Sequence, residues 1–156
     1  MTQSTIVIRR PITILLLLCV TAAIMAVTMW MSGANYSQLD PIPFEDIRHL
    51  AHRLETRPVS MRIISLIIVP IIGNILLFVP FGFFLFITLY RIERSTLQTY
   101  VLAAFGGLTF SCLIEAFQYF LPSRVADIND IIWNSVGALL GAVLAHLRMR
   151  LRVEFD

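Results

Sequence analysis

The chain has 156 residues, of which 58% are hydrophobic and only 14% are charged, and its mean hydropathy is +0.81. Soluble domains usually have about a quarter of their residues charged, so these values exclude an ordinary soluble protein and indicate an integral membrane protein. The net charge is only +2, and the twelve basic residues are all arginines spread over loops and ends, which offers no nucleic-acid-binding patch.

Four apolar runs are long enough to cross a membrane, because about 20 helical residues cover a hydrocarbon core of about 30 Å. They lie at 12–31, 63–90, 100–121 and 131–147. The first run follows Arg9-Arg10, and Ser32-Gly33-Ala34 resembles a signal-peptide cleavage site. Because this run exceeds the roughly 7–15 apolar residues of a signal peptide, we expect it to remain as a span. The sequence predicts an all-α polytopic membrane protein with four transmembrane helices, forming a single domain over 1–156.

The segment 33–62, between the first two spans, is more than a linker. Its stretch Asp40-Pro41-Ile42-Pro43-Phe44 should be extended, because each proline fixes its own φ and disfavours a helical residue before it. Farther on, four apolar residues recur at helical spacing with charged residues on the opposite face. These four are Ile47, Leu50, Ala51 and Leu54. We therefore expect a short amphipathic helix on the membrane surface.

The second run is too long for a simple span. A helix over 63–90 would measure about 42 Å at 1.5 Å per residue, which exceeds the hydrocarbon core. We therefore expect the helix to break at Pro70 and Gly73, leaving 71–90 as the span. This places Asn74, the amide in the stretch Asn-Ile-Leu-Leu-Phe-Val-Pro-Phe-Gly, one turn below one membrane surface.

Two further residues of this run have structural interpretations. Pro80 cannot donate a hydrogen bond to the carbonyl of Leu76, and its ring crowds that carbonyl, so a kink is expected. Gly82 allows another helix to approach closely. The alternative to a functional role for Pro80 and Gly82 is purely structural: Gly82 serves helix packing, and the kink at Pro80 is tolerated.

The third run carries a polar stripe on a helix that is otherwise apolar. Its members follow at steps of four, four and three: Gly107, Ser111, Glu115 and Gln118. A carboxylate inside a membrane costs several kcal/mol unless it is paired, hydrated or protonated. Glu115 therefore requires a partner, and Arg124 in the following loop is the basic residue within reach.

The fourth run begins with a capping sequence and carries a second stripe. Asp127 or Asn129 can cap the helix, and Asp130 lies near its first turn, where negative charge is favourable. The stripe runs at steps of four, three and four through Asp130, Asn134, Gly137 and Gly141. Gly137 and Gly141 form a face of small residues suited to close helix packing. Capping alone and packing alone are the structural alternatives for these acidic residues and glycines.

The arginines indicate the orientation of the chain in the membrane. With four spans both termini lie on one side, which holds seven arginines against five on the other. The first set is Arg9, Arg10, Arg91, Arg94, Arg148, Arg150 and Arg152, and the second is Arg48, Arg53, Arg57, Arg62 and Arg124. Positive residues favour the cytoplasmic side, so we expect cytoplasmic termini, with 33–62 and the loop 122–130 outside.

Both stripes are polar at their outer ends and small further in, and Asn74 lies at the same depth as the polar ends. We therefore expect one outward-facing pocket among the second, third and fourth spans. Its candidate ligand-binding residues are Asn74, Glu115, Gln118, Arg124, Asp127, Asp130 and Asn134.

Several short motifs stand in a fixed order across three of the spans. They are Pro43-Phe44, Gly73-Asn74 with Leu-Leu-Phe-Val-Pro-Phe-Gly, Glu115-x-x-Gln118, and Arg124-x-x-Asp127-x-x-Asp130-x-x-x-Asn134-x-x-Gly137. This ordered set, within about residues 40–147, resembles the VanZ-like family of small multi-pass bacterial membrane proteins. The name-giving member is associated with low-level resistance to the glycopeptide teicoplanin. The resemblance implies a cytoplasmic-membrane protein of cell-envelope or antibiotic-resistance type, and it names no reaction. Asp40-Pro41-Ile42 departs from the Asn-Leu-Ile type of lead-in expected there.

Two functional classes follow. In the first, the pocket binds a membrane lipid or lipid-linked cell-wall precursor without catalysis. The Arg124 guanidinium would pair with a phosphate or carboxylate, and Asn74 and Gln118 would form hydrogen bonds to the ligand. In the second, a membrane-embedded enzyme modifies such a precursor, with Glu115 as general base and Asp127 and Asp130 holding a divalent cation.

A third interpretation is a packing subunit that forms homo- or hetero-oligomers through the Gly137 and Gly141 face. No cofactor is expected, apart from the cation of the enzymatic alternative. Cys19 and Cys112 lie inside apolar runs and are expected to be small core residues rather than disulfide partners or metal ligands.

Overall fold

A computed structural model describes residues 10–30, 39–40, 42–56, 60–90, 94–121 and 126–153. Its five helices are α1 Arg10–Trp30, α2 Glu45–Thr56, α3 Met61–Leu89, α4 Thr96–Tyr119 and α5 Ile128–Val153. Two strands of two residues each, β1 Leu39–Asp40 and β2 Ala126–Asp127, pair in parallel. All but α2 are long and apolar enough to span a membrane, which confirms the predicted all-α class with four spans and one short helix.

The long helices alternate in direction, so one end of the bundle collects the strands and several helix termini. We call this the strand end. It holds β1, β2 and α2, the last turns of α1 and α4, and the first turns of α3 and α5. Every candidate site residue within the described part of the chain lies toward this end or on the stripes that lead from it.

The helix break expected at Pro70 and Gly73 is wrong. α3 is one continuous helix from Met61 to Leu89, with both Pro70 and Pro80 inside it. Each proline removes one backbone hydrogen bond, but the φ of proline suits a helix, and membrane helices tolerate it. At 29 residues α3 measures about 43 Å. The effect of Pro80 on the helix direction stays a prediction.

Close contact between α3 and α5 depends on glycine. A Cβ placed on Gly82 would overlap the carbonyl oxygen of Ala138, and one placed on Gly141 would overlap that of Val79. Gly137 meets the backbone of α3 in the same way. The small face predicted on α5 is therefore covered by α3 of the same chain. Oligomerisation stays a prediction, and a contact between chains would have to use another surface.

Aromatic side chains fill the space beside this contact. Phe78 is fully buried, and Phe81 stacks on Phe110 of α4 with 4.8 Å between ring centroids. Ile24 brings α1 into the same cluster. These rings fix the positions of α1, α3 and α4, so the helices that carry the site are held by an apolar core that starts below it.

Replacing Gly141 with alanine tests the α3–α5 contact. The new Cβ would displace the backbone of α3, and we expect Gly141→Ala to lower the free energy of unfolding by about 1–3 kcal/mol, as overpacking does. Gly73→Ala is the control, because nothing lies within 4 Å of a Cβ at that position of α3. It should be neutral or stabilise by up to about 1 kcal/mol through helix propensity. Unfolding in mixed micelles titrated with SDS measures both, and equal effects would contradict the contact.

Candidate functional site

The first turn of α5 is fixed by its own side chains. Asp127 directly precedes the helix, and its Oδ1 accepts hydrogen bonds from the backbone N–H of Asn129 at 2.7 Å and from the Asn129 side-chain Nδ2 at 2.9 Å. Asp130 lies in the first turn. Between the two capping residues that the sequence allowed, the structure selects Asp127, and both carboxylates lie where the helix dipole favours negative charge.

A segment from the other side of the sequence is attached to this helix start. β1 pairs with β2, so that Leu39 lies beside Ala126 and Asp40 beside Asp127. The backbone N–H of Phe44 donates to Oδ1 of Asn129 at 2.7 Å. These contacts join two parts of the chain that are more than 80 residues apart.

Phe44 has an unusual backbone conformation. Its φ is 61°, in the left-handed region that residues with a Cβ seldom adopt. Such a conformation costs about 1–3 kcal/mol and persists where its surroundings impose it. Here the Asn129 bond holds the backbone, while the Phe44 ring meets Trp133 edge to face with centroids 5.9 Å apart. Both contacts direct Phe44 toward the first turns of α5.

Glu115 ties α4 to the same place. Its side chain is only 5% exposed, and Oε2 accepts the backbone N–H of Asp127 at 2.9 Å. This buried carboxylate thereby fixes the strand that leads into α5. The partner expected from the sequence, Arg124, lies outside the described residues, so its pairing with Glu115 stays a prediction.

Two asparagines join α3 and α4 to α5. Nδ2 of Asn74 on α3 donates to Oδ1 of Asp130 at 2.5 Å. Nδ2 of Asn134, one turn farther along α5, donates to Oγ of Ser111 on α4 at 3.0 Å. The polar ends of the two stripes therefore face each other, and Asn74 lies beside them as expected.

Gln118 belongs to the stripe of α4 but contacts a different helix. Its Nε2 donates to the backbone oxygen of Thr28 near the end of α1, at 3.2 Å. The side chain is 1% exposed. Gln118 thus connects α4 to α1 rather than reaching toward α5.

An open cleft of about 140 Å³ lies over the start of α5 at the strand end. One wall is polar and comes from α5 and the residue that caps it: Asp127, Asn129 and Asp130. The other surfaces are apolar: Phe44, Ile47, Leu66, Ile67, Pro70, Ile71 and Trp133. Of the predicted ligand-binding residues in the described part of the chain, Asp127 and Asp130 line this cleft. Asn74, Glu115, Gln118 and Asn134 do not line it.

The apolar half of the cleft could not be predicted from the sequence. Leu66, Ile67 and Pro70 looked like any other residues of an apolar run, and the expected helix break separated them from the site. Trp133 gave no signal either. Pro43-Phe44 belongs to the ordered set of motifs, but spacing along the sequence does not predict the contact of Phe44 with Asn129.

Histidine and cysteine are the other residue types that could bind a metal ion. Within the described ranges, no group of three or more His, Cys, Asp or Glu residues is arranged to hold a metal ion. His49 lies 3.4 Å from Glu45 on the exposed side of α2. Cys19 and Cys112 are exposed rather than in the core. The outer surface of a membrane helix is as apolar as its inner face, so an apolar run does not show which way a cysteine points.

The bond from Phe44 to Asn129 can be tested by hydrogen exchange. Asn129→Leu removes the acceptor, so exchange of the Phe44 amide should become faster, and the stability should fall by about 0.5–1.5 kcal/mol. The matched control is Gln98→Leu, because Oε1 of Gln98 accepts the Ser95 N–H at the opposite end of the bundle. Exchange measured by mass spectrometry should show no change at Phe44 in the control. An unchanged Phe44 amide in Asn129→Leu would contradict the attachment.

Comparison with known proteins places this site within a family. The family model described as VanZ/LLP1 matches residues 13–149, which is most of the chain. The matched region includes every residue that lines the cleft and all seven predicted ligand-binding residues. No curated protein and no solved structure matches the chain significantly.

Proposed function

The chain belongs to the VanZ/LLP1 family, and from this premise we propose that its cleft binds a membrane lipid or a lipid-linked cell-envelope precursor. We place the protein in the bacterial cytoplasmic membrane with both termini in the cytoplasm and the cleft outside. By binding such a ligand, the protein would contribute to tolerance of teicoplanin-type glycopeptides. The observation that carries this proposal is the two-sided cleft.

The cleft has the chemistry that an amphiphile requires. The first turns of α3, around Ile67 and Pro70, present an apolar surface, and Asp127 and Asp130 present oxygen atoms across from it. The hydrocarbon part of an amphiphile next to its headgroup can pack on the apolar surface, while the headgroup contacts the polar wall. Sites for small ligands commonly combine apolar walls with a few polar groups that fix orientation.

The length of α3 supports a position near lipid headgroups. The helix measures about 43 Å, against a hydrocarbon core of about 30 Å. An upright α3 would extend beyond the core, and the apolar surface of the cleft lies on the early part of this helix, from Leu66 to Ile71. Leu66 is 67% exposed, so a lipid chain can reach it.

Each polar residue receives a role in this proposal. Arg124 precedes Asp127 by three residues, and its guanidinium would pair with a phosphate or carboxylate of the ligand. Asn74 and Gln118 already bond Asp130 and the Thr28 carbonyl. We therefore assign Asn74 to holding α3 beside α5 and Gln118 to holding α4 beside α1, rather than either amide to direct contact with the ligand.

A membrane-embedded enzyme is the alternative. It would use Glu115 as general base and would hold a cation with Asp127 and Asp130. The hydrogen bonds of these side chains support the binding role instead, because Glu115 holds the Asp127 backbone, Asp127 caps α5 and Asp130 accepts from Asn74.

Cysteine labelling tests the orientation. With Cys19 and Cys112 replaced by alanine, a membrane-impermeant maleimide added to intact spheroplasts should modify a cysteine introduced by Ser37→Cys. A cysteine introduced by Ser95→Cys should react only after the membrane is opened, since it lies in the loop expected inside. The reverse pattern would place the cleft in the cytoplasm and contradict the proposal.

Lipid analysis of the purified protein tests the ligand. Protein extracted with its native lipid should be enriched several-fold in one amphiphile relative to the bulk membrane. Ile67→Trp would fill the cleft and should abolish this enrichment. Leu76→Trp is the control, because Leu76 is exposed on α3 and does not line the cleft. A wild-type lipid profile equal to that of the membrane would contradict binding.

Charge-removing variants separate binding from catalysis. Expression should raise tolerance to a teicoplanin-type antibiotic and not to one acting in the cytoplasm. Asp127→Asn and Asp130→Asn keep an oxygen acceptor, and Asn can still cap a helix, so we expect partial loss of tolerance. Complete loss at normal protein levels, together with sensitivity to chelation of Mg²⁺ or Ca²⁺, would favour the enzyme, whose cation site needs charged oxygen ligands. Unchanged tolerance on expression would remove the glycopeptide role.

A further inference from the structure

Two amide oxygens inside the bundle have no hydrogen-bond partner among the residues that the structure describes. They are Oε1 of Gln118 and Oδ1 of Asn134. The two side chains are 1% and 2% exposed. The nitrogen of each amide is already engaged, with the Thr28 carbonyl and with Ser111 respectively.

The Gln118 oxygen cannot be paired by turning the amide over. The Thr28 carbonyl can only accept, so the Gln118 amide must present its nitrogen there. In Asn134, the orientation in which Nδ2 donates to Ser111 Oγ leaves Oδ1 without a partner among the described residues.

The two oxygens belong to a single polar stripe. Gln118, Glu115 and Ser111 follow each other on one face of α4, and Asn134 is bonded to Ser111. Seven residues of helix separate Gln118 from Ser111, about 10 Å along the axis. The buried Glu115 carboxylate lies between them and, like the two amides, is at least nine-tenths buried. This stripe begins at the strand end and runs inward along α4.

We propose that ordered water molecules occupy this stripe and donate hydrogen bonds to Gln118 Oε1 and Asn134 Oδ1. A buried oxygen left dry costs about 1–3 kcal/mol. A water molecule held by two to four polar groups removes that cost. The protein then carries a hydrated site inside its membrane-spanning bundle, from the level of Gln118 to that of Asn134. The site does not depend on which ligand the cleft binds.

Water-edited solid-state NMR on the full-length protein in lipid bilayers tests this site. The side-chain amide protons of Gln118 and Asn134 should receive magnetisation from water several-fold faster than the methyl groups of Ala103 and Ala142. Those two alanines are 1% and 0% exposed and belong to the apolar cluster toward the opposite end. Asn134→Leu and Gln118→Met serve only to assign the two amide signals, so the result does not require either variant to function.

Fast transfer to both amides, against slow transfer to both alanines, would support the hydrated site. If magnetisation from water reached either amide as slowly as it reaches Ala103 and Ala142, the proposed hydrated site would be overturned, because a shared site requires water at both oxygens. Ser111→Ala provides a second measurement on the native amides. It removes the Ser111 hydroxyl beside Asn134, and space for additional water should raise or preserve the transfer to Asn134. A loss of transfer in this variant would also contradict the proposal.

Discussion

The close approach of α3 and α5 is the constraint on which the rest of the structure depends. Gly82, Gly137 and Gly141 let the two backbones meet with no side chain between them. This contact brings Asn74 to Asp130 and places the first turns of α3 beside those of α5. The cleft lies between the early part of α3 and the start of α5, and Phe44, just before α2, and Ile47 of α2 complete its lining. A wider separation would remove both the amide–carboxylate bond and the facing walls.

Polar contacts then determine the arrangement around this pair. In a hydrocarbon surrounding, an unpaired polar group is costly, so hydrogen bonds between elements stabilise buried polar side chains of α4 and α5. Glu115 finds the Asp127 backbone, Asn134 finds Ser111 and Gln118 finds the end of α1. These bonds specify how α4 is rotated about its axis, which the nonspecific apolar contacts of its other faces cannot do.

The sequence predicted the parts of this structure that follow from local periodicity. The four spans follow from apolar length, and the steps between Ser111, Glu115 and Gln118 or between Asp130 and Asn134 correctly put each set on one helix face. The parallel pairing of β1 with β2 joins residues 87 positions apart. Each strand has only two residues, which is too short for a recognisable alternation of apolar and polar side chains.

The continuity of α3 through Pro70 could not be predicted, because a proline commonly breaks the interior of a helix in a water-soluble protein. A membrane instead favours any conformation that keeps the backbone groups hydrogen-bonded. The apolar side of the cleft was hidden for a related reason, since Ile67 differs in no way from its lipid-facing neighbours.

The pairing of β1 with β2 also has a consequence for biosynthesis. β1 precedes α2 and α3, while β2 emerges only after α4 has been made. During synthesis on the ribosome, the first three spans, α1, α3 and α4, therefore precede the strand to which β1 is anchored. The Phe44 conformation has no Asn129 to hold it until the last helix begins, so the two halves of the cleft are joined late, when α5 inserts. A nascent chain stopped before residue 126 would contain the apolar lining residues up to Ile71 but neither Trp133 nor the polar wall, and its exposed surface would be available to insertion factors and membrane proteases.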